Sequence, residues 1–282
     1  MEKMKKAVIA LVSAAVVALM LALVLLGGCG QPKTETYSGK ARQILSDTNK
    51  KMQAVKSLKV SGAYDVQTKM QGSENANFDY SMEVNAADPQ NTERHVSVKG
   101  KDKSSEVYVV GGYAYSDAPG QGWVKVKAGE SDSLSQSTPA GMLELAASAK
   151  NLRMVSEDAN TYGITFNVGG DYLEQQIRQA LGVDQSGLDL EGELDTIVKN
   201  TSMRADFTIS KSTMYIDSAK LTMKMRGIPV AGDMGLVMTM AFSGFNEPVA
   251  ISLPEEARSA REVVETPTTP PGSVPVFPGT TK

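Results

Sequence analysis

Strict alternation of apolar and polar side chains is the feature that most restricts the fold of this chain. In LKVSGAYDVQTKM (58–70), the even positions carry Leu, Val, Gly, Tyr, Val, Thr and Met, and the odd positions are mostly polar. NFDYSMEV (77–84) repeats the pattern, with its apolar residues again at even positions. Because successive side chains of a β-strand point to opposite faces, each segment is expected to bury one face and expose the other. An antiparallel sheet with one solvated face meets this requirement.

The rest of the chain follows the order helix, strands, helices, strands. Apolar residues at helical spacing predict helices over 38–55, 140–149, 171–182 and 188–200. Further strands are predicted at 92–99, 106–110, 113–116, 122–127, 152–156, 162–168, 203–209, 214–225, 235–242 and 249–253. We therefore expect an α+β fold in which amphipathic helices cover the apolar face of a long antiparallel sheet.

The N-terminus has the layout of an export signal. Three lysines in MEKMKK precede an apolar run over 7–26, and Leu26-Gly27-Gly28-Cys29 follows. This tetrapeptide resembles the lipobox of bacterial lipoproteins, which implies cleavage between Gly28 and Cys29 and a diacylglycerol on the Cys29 thiol. Two acyl chains give stable attachment to a membrane. The alternative is an uncleaved membrane helix with an unmodified Cys29. Either reading places the rest of the chain on the extracytoplasmic face.

Net charge restricts the classes of molecule that the chain is expected to bind, and the cysteine count restricts its disulfides. The chain has 29 basic and 32 acidic residues and a net charge of −3. This acidic balance argues against nucleic acid as a partner and predicts no polybasic patch for anionic headgroups. Membrane attachment is therefore expected to come from the lipid on Cys29. Since Cys29 is the only cysteine, no internal disulfide can form.

Motifs for catalysis or cofactors are missing from the sequence. His95 is the sole histidine and lies in a predicted strand, which favours a surface or structural role over that of a base. No serine lies in a G-x-S-x-G turn, and the acidic run 184–195 lacks the order of ligands in a calcium loop. Trp123, the only tryptophan, is expected at the sheet edge. We predict a protein that is not an enzyme, with no catalytic residue, metal or cofactor.

Several phrases of the sequence resemble a family of bacterial lipoproteins. The lipobox, SLKVSGAYDV, EVYVVGGYAYSD with GWVKV, and FSGFNEPVAISLPEEA at 242–257 are similar to LppX and LprAFG-type lipoproteins of the LolA/LolB-like superfamily. The resemblance implies a strongly curved antiparallel half-barrel sheet with helices covering its concave face. It also implies an apolar cavity for the acyl chains of a lipid or lipoprotein, and a membrane exporter or receptor as a possible partner. Cys29 is the one site residue that the resemblance carries over.

An apolar pocket is the site that the residues themselves suggest. Methionines are frequent in the last strands, and flexible side chains repack around irregular ligands, although methionine also fills ordinary cores. Gly62 either leaves room in the pocket or marks a bend. The predicted lining is Tyr64, Val66, Phe78, Tyr80, Met142, Leu145, Phe207, Met223, Met225, Met238 and Met240.

The domain organisation follows from these assignments. We predict a signal peptide at 1–28, a lipidated tether at 29–37, a lipid-binding domain at 38–258 and a Pro-rich disordered tail at 259–282. The predicted function is that of a carrier or presenter of a lipid in the cell envelope. The alternative is an envelope sensor or structural lipoprotein with a filled core that acts through protein contacts.

Overall fold

The computed structural model describes residues 39–68, 75–88, 91–101, 104–118, 122–127, 145–181, 191–228 and 232–263. The predicted signal peptide, Cys29 and the tether lie outside these residues, as do Met142 and most of the predicted tail.

One large, open and curved antiparallel sheet with few helices forms an α+β fold, as the sequence predicted. The sheet has twelve strands in the order β12-β6-β5-β4-β3-β2-β1-β11-β10-β9-β8-β7. Only β12 runs parallel to its neighbour, β6. The strands are β1 Ser57–Thr68, β2 Ala76–Asn85, β3 Glu93–Lys99, β4 Ser104–Val110, β5 Tyr113–Ala118, β6 Gly122–Lys127, β7 Ala149–Glu157, β8 Thr161–Val168, β9 Thr201–Ser210, β10 Ile216–Ile228, β11 Gly232–Ser243 and β12 Arg261–Glu262.

The centre of the sheet joins the two ends of the domain's sequence. β1 pairs with β2 on one side and with β11 on the other, so Tyr64 lies between Phe78 and Met238. Hairpins supply the other antiparallel pairs, except that β8 and β9 are joined by a helical segment. Residues in register share a face, so the even positions of β1 and β2 continue the apolar face of β11.

The helices cover the concave face of this sheet. They are α1 Lys40–Gln53, α2 Gly170–Leu181 and α3 Glu191–Lys199; the short helix α4 Glu255–Arg258 lies beside β5 and β6. Apolar residues of α1, α2 and α3 join one hydrophobic cluster with the strands. The helical members of that cluster include Ile44, Leu45, Met52, Leu173, Ile177 and Leu194. The predicted helices at 38–55, 171–182 and 188–200 thus correspond to α1, α2 and α3.

The prediction of a strand at 249–253 is wrong. These residues have no regular secondary structure, although Val249, Ile251 and Leu253 alternate with smaller residues. The preceding strand, β11, is already paired on both sides, by β1 and β10. Segment 249–253 therefore follows a strand that has no free edge for it to join.

Other boundaries also differ from the sequence predictions. β7 begins at Ala149, a residue assigned to the helix predicted over 140–149; within that helix only residues 145–147 are described as helical. The sequence predicts Met214 as the first residue of a strand, but Met214 lies in the turn before β10, where its φ is 59°. The described chain continues to Val263, so β12 falls within the segment assigned to the tail at 259–282.

Candidate ligand-binding face

The buried, concave side of the sheet is called the inner face here, and its apolar side chains form rows across neighbouring strands. One row crosses six strands and consists of Tyr80, Gly62, Met240, Ala219, Phe207 and Ile164. The next row consists of Phe78, Tyr64, Met238, Leu221, Ala205 and Phe166. The register therefore brings together aromatic and methionine residues that lie far apart in the sequence.

The predicted lining residues that the structure describes all lie in the same hydrophobic cluster. Tyr64, Tyr80, Leu145, Phe207 and the four predicted methionines are buried, whereas Val66 and Phe78 are partly buried at its border. Phe207 meets Phe166, which the sequence reasoning missed, edge to face at 5.2 Å between ring centroids. Phe166 is the third of four alternate apolar positions in β8, so its strand period alone would have placed it on this face.

Methionine is the characteristic residue of this face. Eight methionines of the described chain are buried, among them Met238, which has no exposed surface. Five of them, Met223, Met225, Met234, Met238 and Met240, lie on the adjacent strands β10 and β11, where Met225 pairs directly with Met234. Unbranched thioether side chains change rotamer easily and fit surfaces of irregular shape. The inner face of β10 and β11 is thus an adaptable apolar wall.

Two tyrosines stack at the centre of the face. The rings of Tyr64 and Tyr80 lie 4.6 Å apart between centroids, and Tyr80 lies across Gly62 of the neighbouring strand. A Cβ atom at position 62 would come within 2.6 Å of Tyr80 Cε1 and would collide with the backbone carbonyl oxygen of Thr239. The room that Gly62 leaves is therefore filled by the Tyr80 ring, and it adds no volume to a pocket.

The Tyr80 hydroxyl is a polar atom that the interior leaves without a partner. Within the described chain this buried oxygen makes no hydrogen bond, although Tyr80 is only 4% exposed. Burial raises the pKa of Tyr80, and burial together with the nearby Tyr80 raises the pKa of Tyr64 well above its ordinary value. A buried hydroxyl without a hydrogen bond is costly and infrequent in folded proteins. The Tyr80 hydroxyl is therefore a hydrogen-bonding group that the described residues leave unused.

Buried oxygens without partners also occur on the covering helices. Oγ1 of Thr48 on α1 and Oε1 of Gln176 on α2 make no hydrogen bond within the described residues, although both side chains are buried. Both helices contribute to the same hydrophobic cluster as the inner face. The interior is therefore apolar with a few isolated hydrogen-bonding atoms, which is the composition of many small-molecule sites.

His95 occupies a structural position on the opposite, outer face. Its ring stacks on Tyr108 with 4.2 Å between centroids, and its Nε2 lies 3.8 Å from Glu106 Oε2. Burial and a hydrogen bond donated to Glu106 raise the pKa of Tyr108 to about 12. Trp123 packs beside this pair, 5.8 Å from the Tyr108 ring, on the strand next to the edge strand β12. The imidazole is thus part of an aromatic stack.

Two further features concern the described residues only. In the described ranges, no three His, Cys, Asp or Glu side chains lie close enough together to hold a metal ion. Among the helices of these ranges, none has both the length and the apolar character needed to span a bilayer.

Comparison with sequence families gives an assignment. The model of a family of unknown function, DUF6612, matches residues 40–262, which is nearly the whole described domain. The chain belongs to this family. Membership in DUF6612 assigns no activity to the chain. The comparison with curated proteins returned no match.

Solved structures with a similar chain tracing come from several bacteria. The chain is similar to LprF from Mycobacterium bovis, with 16% identity over 80% of this chain and 99% of that one, and a TM-score of 0.47. It is also similar to a DUF1329 family protein from Desulfovibrio piger, with 8% identity over 74% and 93% of the two chains and a TM-score of 0.31. A LolA superfamily protein from Nitrosomonas europaea shows 8% identity over 73% and 92%, with a TM-score of 0.26.

Proposed function

We propose that this DUF6612 protein is a membrane-anchored lipoprotein that binds the acyl chains of a lipid against the inner face of its sheet. It acts as a carrier or presenter of that lipid in the cell envelope. The observation that carries the proposal is the methionine wall of β10 and β11 combined with the Tyr80 hydroxyl, a buried polar atom without a partner. An acyl chain would pack against the methionines, and a polar group of the same lipid would accept the hydrogen bond that Tyr80 has to give.

Anchorage at Cys29 forms the second part of the proposal. The lipobox predicts a diacylglycerol on this thiol, and only residues 30–39 separate it from α1. The anchor keeps the domain at the extracytoplasmic surface of the membrane from which a lipid would be taken. Replacing Cys29 with Ser is expected to leave an unprocessed precursor or to release the protein, whereas retention of mature-sized protein in the membrane would contradict anchorage through this thiol.

A second candidate function is supported by the packing of the same face. Phe166, Phe207 and Met238 are at most 2% exposed, and they lie on two adjacent rows of the inner face. The side chains of a filled core would be buried in the same way. A filled interior fits an envelope sensor or structural lipoprotein that acts through protein contacts. The two candidates differ in whether a lipid occupies the inner face.

Retention and exchange of lipid separate the two candidates. The full-length protein is extracted from its native membrane in detergent, and bound lipids are identified by native mass spectrometry and by organic extraction. Exchange is then followed with a fluorescent diacylglycerol. A bound lipid in addition to the Cys29 modification supports the carrier. A protein without bound lipid that takes up no fluorescent lipid favours the filled core.

A further inference from the structure

The outer face of β7 to β10 is positively charged, although the whole chain is acidic. Five basic residues, called the outer basic patch, occupy this surface: Lys150, Arg153, Arg204, Lys220 and Lys224. The register connects them across the four strands, because Lys150 opposes Asn167, Asn167 opposes Arg204, and Arg204 opposes Thr222 between the two lysines of β10. In the adjacent row, Arg153 leads through Thr165 and Asp206 to Lys220.

Few acidic groups offset the charge of the patch. Asp206 accepts a hydrogen bond from Arg204 Nη2 at 2.7 Å and is the one carboxylate within the two rows on β7 to β10. Asp65 lies in the same row as Thr222 but two strands away, on β1. Lys150, Arg153, Lys220 and Lys224 are exposed and form no ion pair within the described part of the chain. The patch therefore presents four cations that the fold leaves for an external anion.

A groove runs through the patch and adds uncharged hydrogen-bond donors. Its volume is about 560 Å³, and Arg204, Lys220 and Lys224 line it together with Ser202, Thr222 and Asn167. The lining also includes Asp206 and the apolar residues Val168, Leu173 and Met203. The side chains of lysine, arginine, serine and threonine are the usual partners of phosphate oxygens. A second groove, lined by Arg153 and Asn167, adjoins it. The chemistry of the surface thus suits several phosphate groups held side by side.

We propose that the outer basic patch docks the domain on the anionic phospholipid headgroups of the membrane that holds its anchor. The inference rests on the anchorage at Cys29 in the proposed function, and it is independent of the lipid bound at the inner face. It also revises the expectation, drawn from net charge, that no basic patch exists for headgroups. The basic residues are spread over three strands, β7, β9 and β10, between positions 150 and 224, so no run of the sequence shows them together.

The length of the tether keeps the patch within reach of the membrane surface. Lys40 is the first residue of α1, and its Nζ lies 2.6 Å from Glu157 Oε2. Glu157 lies four residues beyond Arg153 on β7, which is a distance of about 13 Å along the strand. The ten residues between Cys29 and Lys40 extend to at most about 36 Å. A tether this short keeps the patch at a high effective concentration near the bilayer, so contacts that are weak singly suffice for docking.

The charge also predicts the strength of docking. A basic side chain next to an anionic leaflet contributes about fivefold to membrane association, so the loss of three should reduce the ratio of docked to undocked domain by about a hundredfold. High salt should have the same effect, because the Debye length falls to about 3 Å at about 1 M ionic strength.

Docking is measured on the full-length, lipidated protein reconstituted in vesicles. A cysteine introduced by Thr239→Cys carries the fluorophore, since Thr239 is exposed on the outer face and opposes Lys220. Ser104→Cys, on the outer face of the distant strand β4, serves as the control position. The native Cys29 is blocked by its lipid and is the only other thiol. Vesicles contain phosphatidylcholine with a headgroup-attached nitroxide quencher, with or without phosphatidylglycerol.

The expected result is quenching at position 239 that rises several-fold when phosphatidylglycerol is present, with little change at position 104. The triple variant Arg153→Gln, Lys220→Gln and Lys224→Gln should lose this rise, as should the wild type in high salt. The control variant Lys51→Gln, Lys101→Gln and Lys127→Gln removes the same charge from residues outside the patch and should keep it. All six positions are exposed, and equal melting temperatures will show that the variants fold.

Two results would count against the proposals, and they can be told apart. Docking through the patch is overturned if quenching at position 239 does not depend on phosphatidylglycerol. It is also overturned if the patch variant and the control variant lose the quenching equally. Either result is expected if the patch binds an acidic protein partner and not headgroups. Failure of the wild-type protein to float with either kind of vesicle instead refutes the anchorage at Cys29.

Discussion

Alanine at position 62 is expected to destabilise the domain, because the space beside Gly62 belongs to the Tyr80 ring. A Cβ atom would lie 2.6 Å from Cε1 and 2.9 Å from Cζ of that ring, whereas carbon atoms pack at about 3.5–4.0 Å. The ring would have to move by about 1 Å. The Cβ atom would also collide with the carbonyl oxygen of Thr239, a backbone atom of the paired strand β11, which cannot rotate away.

The magnitude follows from two opposing terms. Overpacking of a core costs about 1–3 kcal/mol, and a collision with backbone places Gly62→Ala at the upper end of that range. Replacing glycine within a strand by alanine returns about 0.5–1 kcal/mol. The net loss is about 2 kcal/mol, which lowers the melting temperature of a domain of this size by about 4–8 °C.

Gly235→Ala provides the matched control for this substitution. Gly235 lies in β11, and the nearest atom to an added Cβ is Gln67 Cβ at 3.8 Å, an ordinary contact. Gly235→Ala should therefore leave the melting temperature unchanged or raise it slightly. The assay is thermal unfolding of both variants and the wild type, followed by far-UV circular dichroism. Equal melting temperatures for the two alanine variants would refute the placement of the Tyr80 ring over Gly62.

Three further substitutions test other parts of the structure. Tyr80→Phe removes a buried hydroxyl without a partner, so in lipid-free protein the free energy of unfolding should stay the same or rise by about 1 kcal/mol, and a loss of about 2 kcal/mol in a denaturant titration would show that the hydroxyl has a partner. Met225→Glu places a charge on a side chain that is 3% exposed, so it should unfold the domain or abolish uptake of a fluorescent lipid; unchanged melting and uptake would mean that Met225 faces water. Hydrogen bonds from Lys40 and Lys211 lower the pKa of Glu157 below its ordinary 4.5, so its contribution to stability is present above that pH and is lost as the pH falls through the lower, folded value. Thermal melts against pH should therefore show Glu157→Gln less stable than wild type at neutral pH and equal to it in strong acid, with Glu256→Gln as an exposed control; a difference that persists in acid would contradict the role of the carboxylate charge.

Local sequence patterns predicted most strands because each one depends on its own alternation. The even positions of 58–66 and 77–84 do face the core, as the period of two required. The segment 249–253 shows the limit of this reasoning, since its alternation is as good as that of a strand. Whether such a segment pairs depends on a free edge, and the edges are set by the order of all twelve strands.

Long-range register determined what the sequence could not predict. The pairing of β1 with β11 places Thr239 beside Gly62, and the pairing of β1 with β2 places the Tyr80 ring over it, so the glycine accommodates a ring of its own protein. The outer basic patch arises in the same way from residues of β7, β9 and β10. Net charge averages over the whole surface and so gave the opposite expectation.

Occupancy of the inner face by a lipid is the central claim, and native mass spectrometry of the full-length protein from its own membrane tests it most directly. We predict a population whose mass exceeds that of the Cys29-modified polypeptide by one acyl lipid, and that exchanges this lipid for a fluorescent diacylglycerol. A single mass equal to the modified polypeptide alone, with no uptake of the fluorescent lipid, would contradict the claim.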